Sequence, residues 1–214
     1  MKTIEIKDLY KQKYISSLTY SPKGKSLCYL VKQPDEKENN YSSNLYLLKG
    51  KKTKQRTSSF PVLSFRFLDD ENILFVSYRD KEDQEKKKDG HPYTPFYSLP
   101  LNGGEAEKLF TLRLSVLSYE LLDKTHLILL ADVDLDKKEE MELLSKDGSS
   151  YTKEIKSSRE DYQEYHEVPF VLNGAGVIDH HRSVLFLYDR KKKKLEQVSP
   201  LEANVSSFDF DSFN

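Results

Sequence analysis

Among 214 residues there is one cysteine, Cys28, and no tryptophan. A lone thiol excludes an intrachain disulfide and any zinc site built on several cysteines. It suits a reducing compartment, so a cytoplasmic location is expected. Long apolar runs are missing as well: no stretch of about 18 apolar residues occurs, which excludes a hydrophobic helical membrane span. The opening Met1-Lys2-Thr3-Ile4-Glu5-Ile6-Lys7-Asp8 lacks the apolar centre of a signal peptide. Neither sign of charge dominates, since 34 Lys and Arg stand against 35 Asp and Glu. No overall field therefore recruits nucleic acid or an anionic membrane. Glycine is scarce at eight residues, and no two of them flank a serine four apart. That excludes the Gly-x-Ser-x-Gly elbow, on which an α/β-hydrolase raises its nucleophile.

What is present is a wet-surfaced globular chain, 37% hydrophobic, 32% charged and 12% aromatic, carrying a repeat. Three segments read alternating strand, short polar turn, denser apolar strand: Ile15 to Val31, Val62 to Tyr78 and Val116 to Asp132. Alternation predicts a strand with one buried face, and a dense run predicts burial on both. Each pair is followed by a third strand and a polar fourth. In the first unit these are Asn44 to Leu48 and Lys54 to Thr57, in the second Pro95 to Leu99 and Glu107 to Thr111, in the third Val184 to Tyr188 and Leu195 to Val198.

With Leu18, Phe65 and Tyr119 taken as equivalent, the spacings are 47 and 54 residues. A fourth copy opens at Val205, placing Phe208 a further 89 residues on. The excess matches an insertion at about 134–181. Periods of about 40–50 residues with four strands each mark the blades of a β-propeller. A β-sandwich also strings short strands between turns, but it has no reason to repeat in phase. The expectation is an all-β, partial β-propeller, with blades at about 15–59, 62–112 and 116–200. The first strand of a fourth follows at about 204–214, and the third blade carries a mixed insertion.

Within the insertion, Asp161-Tyr162-Gln163-Glu164-Tyr165-His166-Glu167-Val168-Pro169-Phe170 leads to Asn173-Gly174-Ala175-Gly176. This stretch resembles a segment in the propeller of the prolyl oligopeptidase superfamily, nearest its acylaminoacyl-peptidase-like members. There an acidic residue precedes Pro-aromatic, and Asn-Gly-x-Gly turns into the next strand. The resemblance implies a parent serine peptidase acting on oligopeptides or acylated amino acids. Its propeller would gate access to the catalytic cavity and dock an α/β-hydrolase domain. With no Gly-x-Ser-x-Gly and too few blades to close a ring, the chain is expected to be a non-catalytic portion of such a peptidase. The alternative is a stand-alone propeller scaffold for protein interaction.

The resemblance also implies site residues. Paired propeller carboxylates hold a substrate's free amino group in related dipeptidyl aminopeptidases, and an ammonium with three donors suits them. Glu164, Tyr165 and Glu167 are the substrate-binding candidates, set against a plain solvated acidic loop anchored by Pro169-Phe170. No catalytic residue, cofactor or metal is expected. His180 and His181 are adjacent in a strand and point to opposite faces. His91, His126 and His166 have no ligand spacing. The glycine turns at 102–104 and 173–176 lack a following helix to cradle phosphate.

Lys86-Lys87-Lys88 and Lys191 to Lys194 read as solvated loops without the interleaved aromatics of a nucleic-acid platform. Helix-compatible composition is confined to Leu135 to Tyr165. A peptide substrate and the hydrolase domain are the expected partners, with self-association through apolar blade faces left exposed.

Overall fold

The computed structural model describes residues 5–37, 39–90, 92–135, 165, 167–168, 171–173 and 176–210. Two compact units divide the chain, Met1–Leu112 and Arg113–Asn214. The first holds two sheets. A 3-10 turn at Ile6–Lys11 leads into β1 (Tyr14–Tyr20), β2 (Leu27–Asp35), β3 (Asn40–Lys49) and β4 (Lys52–Gln55), hydrogen-bonded in that order. Next come β5 (Ser64–Phe67), β6 (Asn72–Val76), helix α1 (Lys81–Lys88), β7 (Thr94–Pro100) and β8 (Glu107–Leu112), again with chain order as sheet order. The second unit contains β9 (Ser115–Leu121) and β10 (His126–Asp134), a hairpin β11 (Val171–Leu172) and β12 (Gly176–Val177), then β13 (His181–Asp189) and β14 (Lys194–Gln197). Its main sheet runs β14-β13-β10-β9. Three antiparallel four-stranded meanders, none closed on itself, make this a partial β-propeller.

The strand pattern follows from burial. In β6, Ile73, Leu74 and Phe75 are fully buried, and in β10 Leu127, Leu129 and Ala131 are too, so the dense runs are central strands. In the first unit, Cys28, Leu30, Leu45 and Leu47 of the first sheet pack with Val62, Phe65, Ile73, Phe75, Tyr97, Leu99 and Leu101. Each such side chain contributes about 1.5–3 kcal/mol on leaving water. Cys28 sits inside this core, and burial pushes its thiol up to about 12.

Two expectations need correction. The edge strand β1 does not bury a face as alternation suggested: Ile15, Leu18 and Tyr20 are 61%, 62% and 68% exposed. Its pairing with β2 shifts between Ser16 and Thr19, where Ser17 takes a φ of 56°. A bulge of this kind breaks the period of two, so Leu18 is not the counterpart of buried Phe65 and Tyr119. The charged linker at 80–89 is not a loop but contains α1. Asp80 and Asp83 cap its start, the first turn is acidic and the last basic, all favourable to the helix dipole. The segment at 136–164 lies outside the described residues.

Residues 204–210 form no ladder strand, because no partner strand is present among the described residues. Yet the approach to this segment repeats the approach to β5. The N–H of Val205 donates to the Ser183 carbonyl at 2.9 Å, just as Val62, ahead of β5, donates to Ser43 at 2.8 Å. The parallel extends through the whole corner. Arg56 and Val198 donate N–H to the carbonyls of Leu45 and Leu185, both at 2.8 Å. Leu45 and Leu185 in turn donate to the hydroxyls of Thr57 (2.8 Å) and Ser199 (2.9 Å). Gln55 and Gln197 close it with amide bonds to the carbonyls of Thr57 and Ser199, at 2.8 and 2.7 Å.

Candidate functional site

Glu167 approaches the third sheet from the insertion. Its backbone N–H donates to Asp179 Oδ1 at 2.7 Å, and Asp179 is only 7% exposed. Both carboxylate oxygens of Glu167 face the Arg182 guanidinium, with Nη1 2.9 Å from Oε2 and Nη2 on Oε1. Arg182 is held by β13, where it pairs with Val133 of β10, and Nη1 also reaches the His181 carbonyl at 2.9 Å. A planar fork meeting a carboxylate two-to-two fixes orientation as well as charge. The pairing holds the Glu167 carboxyl below its usual range and raises the Arg182 guanidinium, with neighbouring Asp179 opposing the first effect and reinforcing the second.

Tyr165 is 42% exposed, and Val168, next to Glu167, is 92% exposed. Glu164, Pro169 and Phe170 lie outside the described residues. Leu172 pairs with Gly176 and Val171 with Val177. The φ of 81° at Gly176 is one that glycine adopts without strain. Arg182 was not among the sequence candidates. Nothing local marks it, because its partner is 15 residues away across a hairpin.

Two of the histidines have acidic neighbours on the described strands and turns, His126 beside Asp123 and His181 beside Asp132. His181 Nδ1 lies 2.8 Å from Asp132 Oδ2, and no group of three His, Cys, Asp or Glu among the described residues is placed to hold an ion.

A second polar constellation lies in the first unit. Asp83, fully buried on α1, accepts bonds from the Tyr93 hydroxyl (2.9 Å), the Tyr97 hydroxyl (2.5 Å) and Lys108 Nζ (2.8 Å). Lys108 also meets Asp80 at 2.7 Å. Burial alone would raise the Asp83 carboxyl, but Lys108, Tyr97 and Tyr93 outweigh it and hold it below the ordinary value. Burial and the facing Asp83 raise Tyr97. For Lys108, burial is outweighed by its bonds to Asp80 and Asp83, which raise it. Asp83 thus takes three hydrogen bonds from its neighbours, two from hydroxyls and one from an ammonium. The arrangement fastens α1 to β7 and β8.

No protein-family model and no curated protein matches the chain. Solved structures do. The Pyrococcus horikoshii acylaminoacyl peptidase aligns over 89% of this chain and 26% of its own, at 15% identity and a TM-score of 0.57. An acylaminoacyl peptidase in complex with Z-Gly-Gly-Phe-chloromethyl ketone aligns over 90% and 26%, at 16% identity and a TM-score of 0.58. The β-propeller domain of the Trilobed protease from Pyrococcus furiosus gives 11% identity and a TM-score of 0.42.

The class defined is that of partial β-propellers. Within it, the chain shares the fold of the propeller portion of acylaminoacyl peptidase, and it spans about a quarter of the length of those peptidases.

Proposed function

We propose that this chain is the propeller portion of a serine peptidase acting on oligopeptides or acylated amino acids. In this reading it limits substrate access and docks an α/β-hydrolase domain that supplies the Ser, Asp and His. The observation that carries it is the fold shared with acylaminoacyl peptidase over nine-tenths of the chain. The cytoplasm is the proposed location, on the strength of the lone buried thiol.

The experiment is to label the native polypeptide carrying this chain, immunoprecipitated from its source, with a serine-directed fluorophosphonate. Stoichiometric labelling that an acyl-peptide substrate competes away is expected. A native polypeptide that never labels would sink the reading and favour the interaction scaffold.

The substrate contact is proposed at Glu164, Tyr165 and Glu167. Arg182 occupies one direction at each Glu167 oxygen, and a carboxylate offers about four acceptor positions, so an ammonium can still be received. In the intact peptidase, Glu167→Gln is expected to raise KM about 10-fold for peptides with a free amino terminus, the worth of one charge-assisted hydrogen bond. Acylated peptides should be unaffected. An equal effect on both classes would refute the contact.

A further inference from the structure

The face of the first sheet that carries Leu45 and Leu47 into the core changes character at its end. Directly opposed residues share a face, as do residues two apart. The pairings Leu47↔Lys54 and Lys49↔Lys52 therefore put three lysines on the face of Leu47. They line a cleft of about 360 Å³, closed on its other side by Asp70, Leu101 and Asn102 from turns of the second sheet. Leu47 and Leu101, 7% and 5% exposed, give the cleft an apolar floor. Gly50, with φ 60°, opens the two-residue turn that sets Lys49 against Lys52; a primed hairpin turn needs that conformation.

Among the described residues lining this cleft, three lysines stand against one aspartate. Lys49 directly opposes Lys52, and like charges so placed repel. Among the described residues, no carboxylate forms an ion pair with Lys49, Lys52 or Lys54. The single carboxylate of the lining is engaged elsewhere. Asp70 accepts the Lys23 N–H at 2.9 Å, and Lys23 Nζ stands 3.8 Å from it.

We propose that the cleft binds a small phosphate monoester with a compact apolar body. Such a group carries roughly −1.5 to −2 charge near neutral pH and three acceptor oxygens, enough to engage three ammonium groups. Lysine binds phosphate as a point charge without demanding a fixed approach. The floor of Leu47 and Leu101 takes the apolar body, and the Asn102 amide stands at the rim. The cleft volume sits at the small end of ligand sites, about 300–1,000 Å³, which suits one ring rather than a dinucleotide. This site is independent of the peptidase reading, and its test uses no peptide.

Phenyl phosphate is the probe, titrated into the full chain by calorimetry and amide NMR. Saturable binding is expected, tighter than for inorganic phosphate and weakened by salt, with shifts centred on Leu47, Leu101 and Asn102. The exposed positions allow a Lys52→Glu and Lys54→Glu double variant, its fold checked by circular dichroism. Its affinity should fall at least about 10-fold, the loss of a charge-assisted hydrogen bond. Asp70→Asn, which removes the only carboxylate from the lining, should tighten binding. No saturation by about 10 mM, weaker than ordinary specific recognition, would overturn the proposal. So would an affinity that the double variant leaves unchanged. Equal affinity for phenyl phosphate and inorganic phosphate would overturn the apolar body.

Discussion

Asp83 shows how one side chain can secure an element with little apolar surface of its own. Helix α1 buries only this residue, so its attachment to the sheet rests on the bonds to Tyr93, Tyr97 and Lys108. Asp83→Asn keeps the shape but leaves Lys108 with only Asp80 to answer it. Removing one partner of a buried pair is costly, and with Lys108 part-exposed a loss of about 2 kcal/mol is expected, read by urea unfolding. The pH dependence has a definite sign. Because the native carboxyl lies below its ordinary 3.8, folding favours the charged form. That stabilisation is complete above pH 3.8 and is lost as pH falls through the lowered native value. Acid unfolding of the Asp83→Asn protein should therefore show a shallower slope below pH 4 than the parent; coincident profiles would contradict the account.

The two matching corners give the elements a shared grammar. Thr57 is buried at 6% exposure, while Ser199 is part-exposed, so the same bond to a leucine N–H differs in worth. Thr57→Val strands the Leu45 N–H away from water and should cost about 1–3 kcal/mol. Ser199→Ala leaves Leu185 within reach of solvent and should cost less than half as much. Equal losses in chemical unfolding would mean that the corner is not what holds these turns.

This corner was not readable from the sequence. Thr57 and Ser199 differ in type, and Val62 and Val205 follow them at unequal distances. What could be read were the twelve blade strands, because dense apolar runs such as Ile73 to Val76 admit few other fates. Helix α1 escaped because eight charged or polar residues carry no apolar period, and its cause, a buried Asp83, becomes visible only once Tyr97 and Lys108 stand opposite. Glu167 was singled out by resemblance, and its guanidinium partner emerged only from geometry. Leu18 was misjudged because a single bulge resets the alternation on which the reading relied.

At the scale of the whole molecule, β1 is the conspicuous feature. Tyr14, Ile15, Leu18 and Tyr20 are all about half exposed or more, on an edge strand whose far side has no ladder partner among the described residues. Natural edges are usually guarded by charge or proline, and this one is guarded by neither between Tyr14 and Tyr20. We propose that the chain self-associates through β1. Light scattering during size-exclusion chromatography should show mass rising with concentration, and Leu18→Lys should return it to that of a monomer. A parent chain that stays monomeric at every concentration would refute this.

The hydrogen-bonded corners also say where one copy of the repeat stops and the next begins. The boundary falls neither at a strand nor in a hairpin but at the hydroxyls of Thr57 and Ser199, after which Val62 and Val205 are handed on by the same bond. A gene segment duplicated between such points would carry its own splice geometry, with no need to redesign the blade on either side.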